Sequence, residues 1–138
     1  MLKSVGLTAD GMRKSMKHAA FITTAGIVLL SVIGYSTSFK AFMPDYSWVA
    51  FYLLISVPVQ EIFFRGFVQT RLYRFGKARA IIAASILYSM IHFSNPVLII
   101  LTLVAGLIWG YSFSKCSTLS GPIFSHSVLG LYLFLLVL

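Results

Sequence analysis

The sequence predicts an all-α fold: a multi-pass bundle of about five transmembrane helices, with the N-terminus in the cytoplasm. Three observations lead there. Of 138 residues, 59% are hydrophobic and only 10% charged, with a mean hydropathy of +0.92; a soluble domain carries about 25% charged residues. The apolar residues gather in runs close to the ~20 that a spanning helix needs. The 11 Lys and Arg sit in short blocks between those runs, against only three acids. This pattern excludes a soluble globular domain, a disordered chain and a disulfide scaffold. The net charge of +8 does not signal nucleic acid, because its basic residues flank apolar runs as topology signals do. The single cysteine, Cys116, cannot form an internal disulfide.

Each element follows in order. Residues 1–18 form a basic juxtamembrane head with Lys3, Arg13, Lys14 and Lys17. An apolar run at 19–35 reads as the first spanning helix. A cleaved signal peptide has a similar outline, but Tyr35-Ser-Thr-Ser-Phe is a poor small-residue cleavage site. A connection at 36–47 carries Lys40, Pro44 and Asp45. The second helix spans 48–64 and continues to about 74, with Trp48 and Tyr52 placed to anchor it at an interface. Pro58 inside it should kink it or loosen a turn.

A basic segment then holds Arg65, Arg71, Arg74, Lys77 and Arg79, with Gly76 at the turn. The third helix spans 80–92. Ser94-Asn95-Pro96 reads as a turn and N-cap, with Pro96 at the first helical position. The fourth helix spans 96–113. After a polar break at 115–120, Gly121-Pro122 opens a fifth that runs to 138. The whole chain is one membrane domain, with residues 48–138 as its chemistry-bearing core. With the N-terminus inside, ten basic residues fall on the cytoplasmic side and only Lys40 opposite.

Ionisable residues within a span cost about 2.5–3.5 kcal/mol on insertion scales and point to function. Glu61, Arg65, His92 and His126 are the candidates. Glu61 and Arg65 are four apart on one helix face and can pair. Alone, that pair reads as an internal salt bridge, and each histidine reads as a packing residue. Their placement adds more. Glu61 and His92 each lie about 14–16 residues from the turn between helices two and three, or about 20–24 Å at 1.5 Å per residue. They should therefore share a depth, where a carboxylate and an imidazole can raise the basicity of a common water. His126 lies only about 9 Å into helix five. It reaches the other two only if that helix starts deep or the preceding connection dips into the protein, which Gly121-Pro122 would allow.

At these residues the sequence resembles the CPBP intramembrane proteases, the CAAX-processing and bacteriocin-processing (Abi) family. The family's first motif is Glu-Glu-x-x-x-Arg, and here it reads Gln60-Glu61-Ile-Phe-Phe-Arg65-Gly66. The second, Phe-x-x-x-His, reads Tyr88-Ser-Met-Ile-His92. The third, His-x-x-x-Asn, reads His126-Ser-Val-Leu-Gly130. The resemblance implies a membrane bundle with a glutamic-type proteolytic site inside it. It implies Glu61 and His92 as the water-activating pair, His126 as oxyanion donor and Arg65 as the holder of the carboxylate.

Two positions depart from the pattern. Gln60 replaces the first glutamate, and an amide cannot act as a base. Gly130 replaces the asparagine, and one oxyanion donor is typically worth about 10²–10³ in rate. Asn95 and Ser127 are candidate substitutes. An older metalloprotease label for the family would make Glu61, His92 and His126 a His₂Glu zinc set. No His-Glu-x-x-His stretch supports it, and a mechanism without cofactor is expected.

The function expected is an intramembrane endopeptidase acting on a small peptide or C-terminal processing signal. The competing readings are a non-catalytic, immunity-type peptide binder of the same fold, and a small proton-linked transporter or helper subunit. The expected partners are a peptide or protein substrate and membrane lipid, without nucleic acid; a homo-oligomer stays open. The expected location is the bacterial cytoplasmic membrane.

Overall fold

The computed structural model describes residues 3–37 and 45–137. Lys40 and Pro44, on which part of the topology argument falls, lie outside the described residues, as does Leu138. No strand occurs among the described residues, and the protein is an all-helical, multi-pass bundle.

Helix α1 is Met12–Thr37. It starts about two turns before the apolar run, because those turns have a tertiary partner. Ser15 and Ala19 are buried, and the Ser15 hydroxyl accepts a hydrogen bond from the Gly121 N–H at 3.0 Å. Helix α2 is Tyr46–Phe75, capped at its start by the Asp45 carboxylate on the Ser47 N–H. It is not a uniform α-helix. Wide π-helical turns occupy Tyr52–Ser56 and Ile62–Gln69. The first lies just before Pro58, whose missing N–H deprives the preceding turn of a bond. The expected local loosening is thus a π-turn, a feature that recurs at functional sites.

Gly76, at φ 104°, ends α2. Helix α3 is Lys77–Met90, so it starts earlier than expected and stops before His92. That histidine lies in the following turn, its N–H bonded to the Ser89 carbonyl. Helix α4 is Pro96–Cys116, with the Asn95 side chain capping the Val97 and Leu98 N–H groups as the sequence predicts. Ser117, at φ 55°, ends it. Helix α5 is Ser120–Val137. By length and composition, α1, α2 and α4 each suffice to cross a membrane, while α5 is a shorter apolar helix.

Helix α3 packs along α4, and α1 along α5. Small residues let the backbones approach, as in membrane bundles generally. A Cβ on Gly26 would lie 2.7 Å from Leu129, and one on Gly106 would lie 3.2 Å from both Ser85 and Tyr88. Large apolar side chains such as Leu54, Phe93 and Ile100 face outward. Lipid can cover these, whereas water would leave an unusually large apolar surface exposed.

The basic head folds back onto the bundle. Gly6 accepts from the Leu119 N–H at 2.9 Å, and the Thr118 hydroxyl donates to the Thr8 carbonyl at 2.7 Å. Val5 meets α2 at Gly66. The α4–α5 turn is therefore sunk to the level of Gly66 and roofed by the head. Thr118, Leu119 and Pro122 are almost fully buried there. Helix α5 starts deep, which is the condition under which His126 can reach Glu61.

Candidate active site

Glu61 is 1% exposed and Arg65 fully buried; they are one turn apart on α2, Glu61 just before the second π-helical stretch and Arg65 within it. The Arg65 Nε lies 3.4 Å from Glu61 Oε2. The other carboxylate oxygen, Oε1, lies 2.8 Å from His126 Nδ1. A carboxylate only accepts, so Nδ1 carries the proton. On the far side of the ring, Nε2 lies 3.1 Å from the Tyr88 hydroxyl. The result is a continuous buried line: Arg65, Glu61, His126, Tyr88.

The line is held rigidly. The His126 ring stacks on Trp109 with centroids 4.4 Å apart, and the Trp109 indole N–H donates to the Ser125 hydroxyl at 3.0 Å. The Arg65 guanidinium lies over the Tyr88 ring at 5.0 Å, a cation–π contact. Phe64, Tyr88 and Trp109 form the buried apolar cluster beneath.

His92 is half-buried, and its ring meets Tyr88 edge-on at 5.4 Å. Its Nδ1 has no hydrogen-bond partner among the described residues. Phe64 and Arg65 both meet Tyr88, so one turn further on Glu61 and His92 do stand at similar depth. They are not hydrogen-bonded to each other, however. Glu61 turns to His126 and Arg65, while His92 faces a chamber.

That chamber is a cavity in the bundle with a volume of about 670 Å³. Its walls are apolar side chains of α1 and α4, including Ile22, Leu29, Leu101 and Ile108. Its polar lining includes His92, His126, Tyr52 and Tyr88. Glu61 and Arg65 lie behind this lining rather than in it.

Two side chains act otherwise than expected. Tyr52, expected only as an interface anchor, has partners inside the bundle. It lines the chamber, stacks on Trp48 and donates a long hydrogen bond of 3.4 Å to the His126 carbonyl. Asn95 caps α4 through its Oδ1, which accepts from the Val97 and Leu98 N–H groups, and it is not among the chamber's lining residues. Ser127 is not among the chamber's lining residues. Gln60 donates to the Ser56 hydroxyl at 2.8 Å, outside the buried line. Tyr88 and Trp109 are the residues that sequence reasoning passed over. Tyr88 was visible only as an aromatic variant in the second motif, and Trp109 stands in none of them.

The donor set does not fit zinc. Both nitrogens of His126 are engaged, one by a carboxylate and one by a phenol. No three His, Cys, Asp or Glu side chains converge in metal-binding fashion among the described residues.

A buried polar line ending at an apolar chamber, inside a multi-pass helical bundle, marks a membrane-embedded protein with an internal candidate site. The family follows from comparison: residues 41–132 match the sequence model described as type II CAAX prenyl endopeptidase Rce1-like. The match covers well over half the chain and includes Glu61, Arg65, His92 and His126, so the chain belongs to this family of CAAX-type intramembrane proteases. No curated protein and no solved structure gives a match.

Proposed function

We propose that this chain is an intramembrane endopeptidase that hydrolyses a C-terminal processing signal whose apolar part lies in the chamber. One observation carries the proposal: the Glu61–His126–Tyr88 line reaches the chamber beside an imidazole, His92, whose Nδ1 is unpartnered. Peptide hydrolysis needs a base for water and donors for the developing oxyanion. In the proposed reaction a water oxygen bonds to the scissile carbonyl carbon as His92 takes a proton from that water. The carbonyl π pair moves onto its own oxygen, where His126 and Tyr88 supply donors. The C–N bond then breaks, its pair moves to nitrogen, and the leaving amine takes the proton from His92.

In this scheme Glu61 acts through His126. Its carboxylate accepts from the Nδ1–H and fixes the ring, so that Nε2 is presented at the chamber beside the Tyr88 hydroxyl. Arg65 holds the carboxylate in place. The basic head, the α2–α3 junction and Lys115 face the cytoplasm by the positive-inside rule. The membrane proposed is the bacterial cytoplasmic membrane.

The test is cleavage of a prenylated C-terminal peptide by the purified protein in liposomes, wild type beside Glu61→Gln and His92→Ala. Both variants should lose hydrolysis, with folding measured alongside so that activity is compared per folded protein. If both still cut, the catalytic assignment fails. One observation favours a second reading: Gln60 stands turned away and Glu61 is sealed behind the chamber. A non-catalytic peptide binder would bind the tail equally in wild type and variants and hydrolyse none of it.

A further inference from the structure

The chamber lining holds a hydroxyl that the mechanism above leaves unused. Tyr52 reaches from the first π-turn of α2 toward α5, and its hydroxyl occupies the space beside Gly130. A Cβ built on Gly130 would collide with that oxygen, and would lie 2.9 Å from the ring carbon bearing it. Any side chain at 130 would therefore displace Tyr52. The two positions share one volume: the glycine is empty so that the phenol can fill it.

The hydroxyl is also well placed chemically. Gly130 follows His126 by one helical turn, so the Tyr52 oxygen stands over the same face of α5 that presents His126. Its one hydrogen bond given by the described residues is the 3.4 Å contact to the His126 carbonyl. That is long for an O–H donor, whose usual range ends near about 3.0 Å, so the proton can be redirected to a better acceptor. The ring is clamped by Trp48, stacked at 5.1 Å and 4°, and Trp48 in turn stacks on Phe134 at 4.0 Å. A donor held this way needs little reorganisation when charge develops.

We propose that Tyr52 is a catalytic residue of the reaction proposed above, donating its hydroxyl hydrogen bond to the oxyanion alongside His126. Gly130 is kept free of a side chain to admit it. No proton changes owner in this step: the carbonyl oxygen gains the π pair, and the Tyr52 O–H stays intact while pointing at it. The inference rests on the hydrolytic reading, and the experiment separates the two.

Hydrolysis of the prenylated peptide is measured for wild type, Glu61→Gln, Tyr52→Phe, Gly130→Ala and the pair Tyr52→Leu with Gly130→Asn. Tyr52→Phe keeps the stacked ring and removes only the donor, so kcat should fall about 10²-fold with KM and thermal stability unchanged. Gly130→Ala should lose activity by pushing the phenol aside. The Tyr52→Leu/Gly130→Asn pair clears the volume and supplies an amide donor from α5, and it should exceed Tyr52→Leu alone at least tenfold in kcat. If wild type cuts, Glu61→Gln does not, and Tyr52→Phe keeps wild-type kcat, the Tyr52 assignment is overturned and the hydrolytic reading stands. If wild type cuts nothing, both fall together.

Discussion

Replacing Glu61 by Gln should destabilise the fold as well as stop hydrolysis, and the two effects can be separated. Arg65 is fully buried, and its Nε has Glu61 Oε2 at 3.4 Å. None of its guanidinium nitrogens has a hydrogen-bond partner among the described residues. Glu61 is thus the anion that makes its burial tolerable. A glutamine still accepts from His126 Nδ1, so that bond is largely kept. What is lost is the countercharge, and an uncompensated buried charge costs about 3–5 kcal/mol. Exchanging both charges for uncharged groups of similar volume is often close to neutral. Glu61→Gln/Arg65→Met should therefore recover most of the loss, with a coupling of about 2–3 kcal/mol, near the upper end for contacting residues. The assay is unfolding by SDS titration in mixed micelles, followed by tryptophan fluorescence, since Trp109 stacks on His126 at the centre of the site. The double variant should be folded and inactive. If the two substitutions destabilise independently, or the double variant is less stable than Glu61→Gln, the ion pair does not carry the burial of Arg65 and the reasoning is wrong.

Further outcomes follow from the same geometry. Tyr88→Phe removes the hydroxyl 3.1 Å from His126 Nε2 while keeping the ring; it should cost about 1 kcal/mol of stability and lower kcat in the peptide assay about tenfold. Gly121→Ala forces a methyl against the Ser15 carbonyl and hydroxyl, so it should lose about 1–3 kcal/mol by overpacking, seen as a lower melting temperature. Gly76→Ala meets no atom within 4 Å but sits at φ 104°; its cost, about 1–3 kcal/mol of backbone strain, should be matched by other L-residues regardless of size. Asn95→Ala should cost about 1 kcal/mol through the lost cap on α4, and Asn95→Asp should restore it. Adding a zinc chelator should leave hydrolysis unchanged, because His126 has no free nitrogen to offer a metal.

Much of this architecture was readable from the chain, for identifiable reasons. Long apolar runs, the Asn95-Pro96 start and Gly76 fix helix boundaries through local chemistry, and the structure agrees within a turn or so. The start of α1 could not be read from hydropathy, because Ser15 is held there by Gly121 on a distant helix. The site was legible as a set of residues but not as a set of contacts. Counting residues from a turn gives depth, and Glu61 and His92 do stand near one level. Depth leaves the direction of a side chain open, and the π-turns of α2 alter that direction without a composition signal beyond Pro58. The deep start of α5 at Gly121-Pro122 was stated as the condition for His126 to reach Glu61, and the buried α4–α5 turn meets it. Tyr52 was read only as an anchor, the generic role of an aromatic near the start of a span, and its place in the chamber had no signal of its own. Its actual place depends on the absence of a side chain 78 positions later, at Gly130.

The family match begins at residue 41, yet α1, which ends at Thr37, supplies Phe21, Ile22, Ala25, Gly26, Leu29 and Leu30 to the chamber. Part of the mould around the reacting groups therefore lies outside the matched stretch, on a helix that carries none of them. Substitutions along the inner face of α1 can reshape the space offered to a ligand without disturbing a single bond of the Arg65–Glu61–His126–Tyr88 line. Selectivity can drift on one helix while chemistry stays fixed on the others.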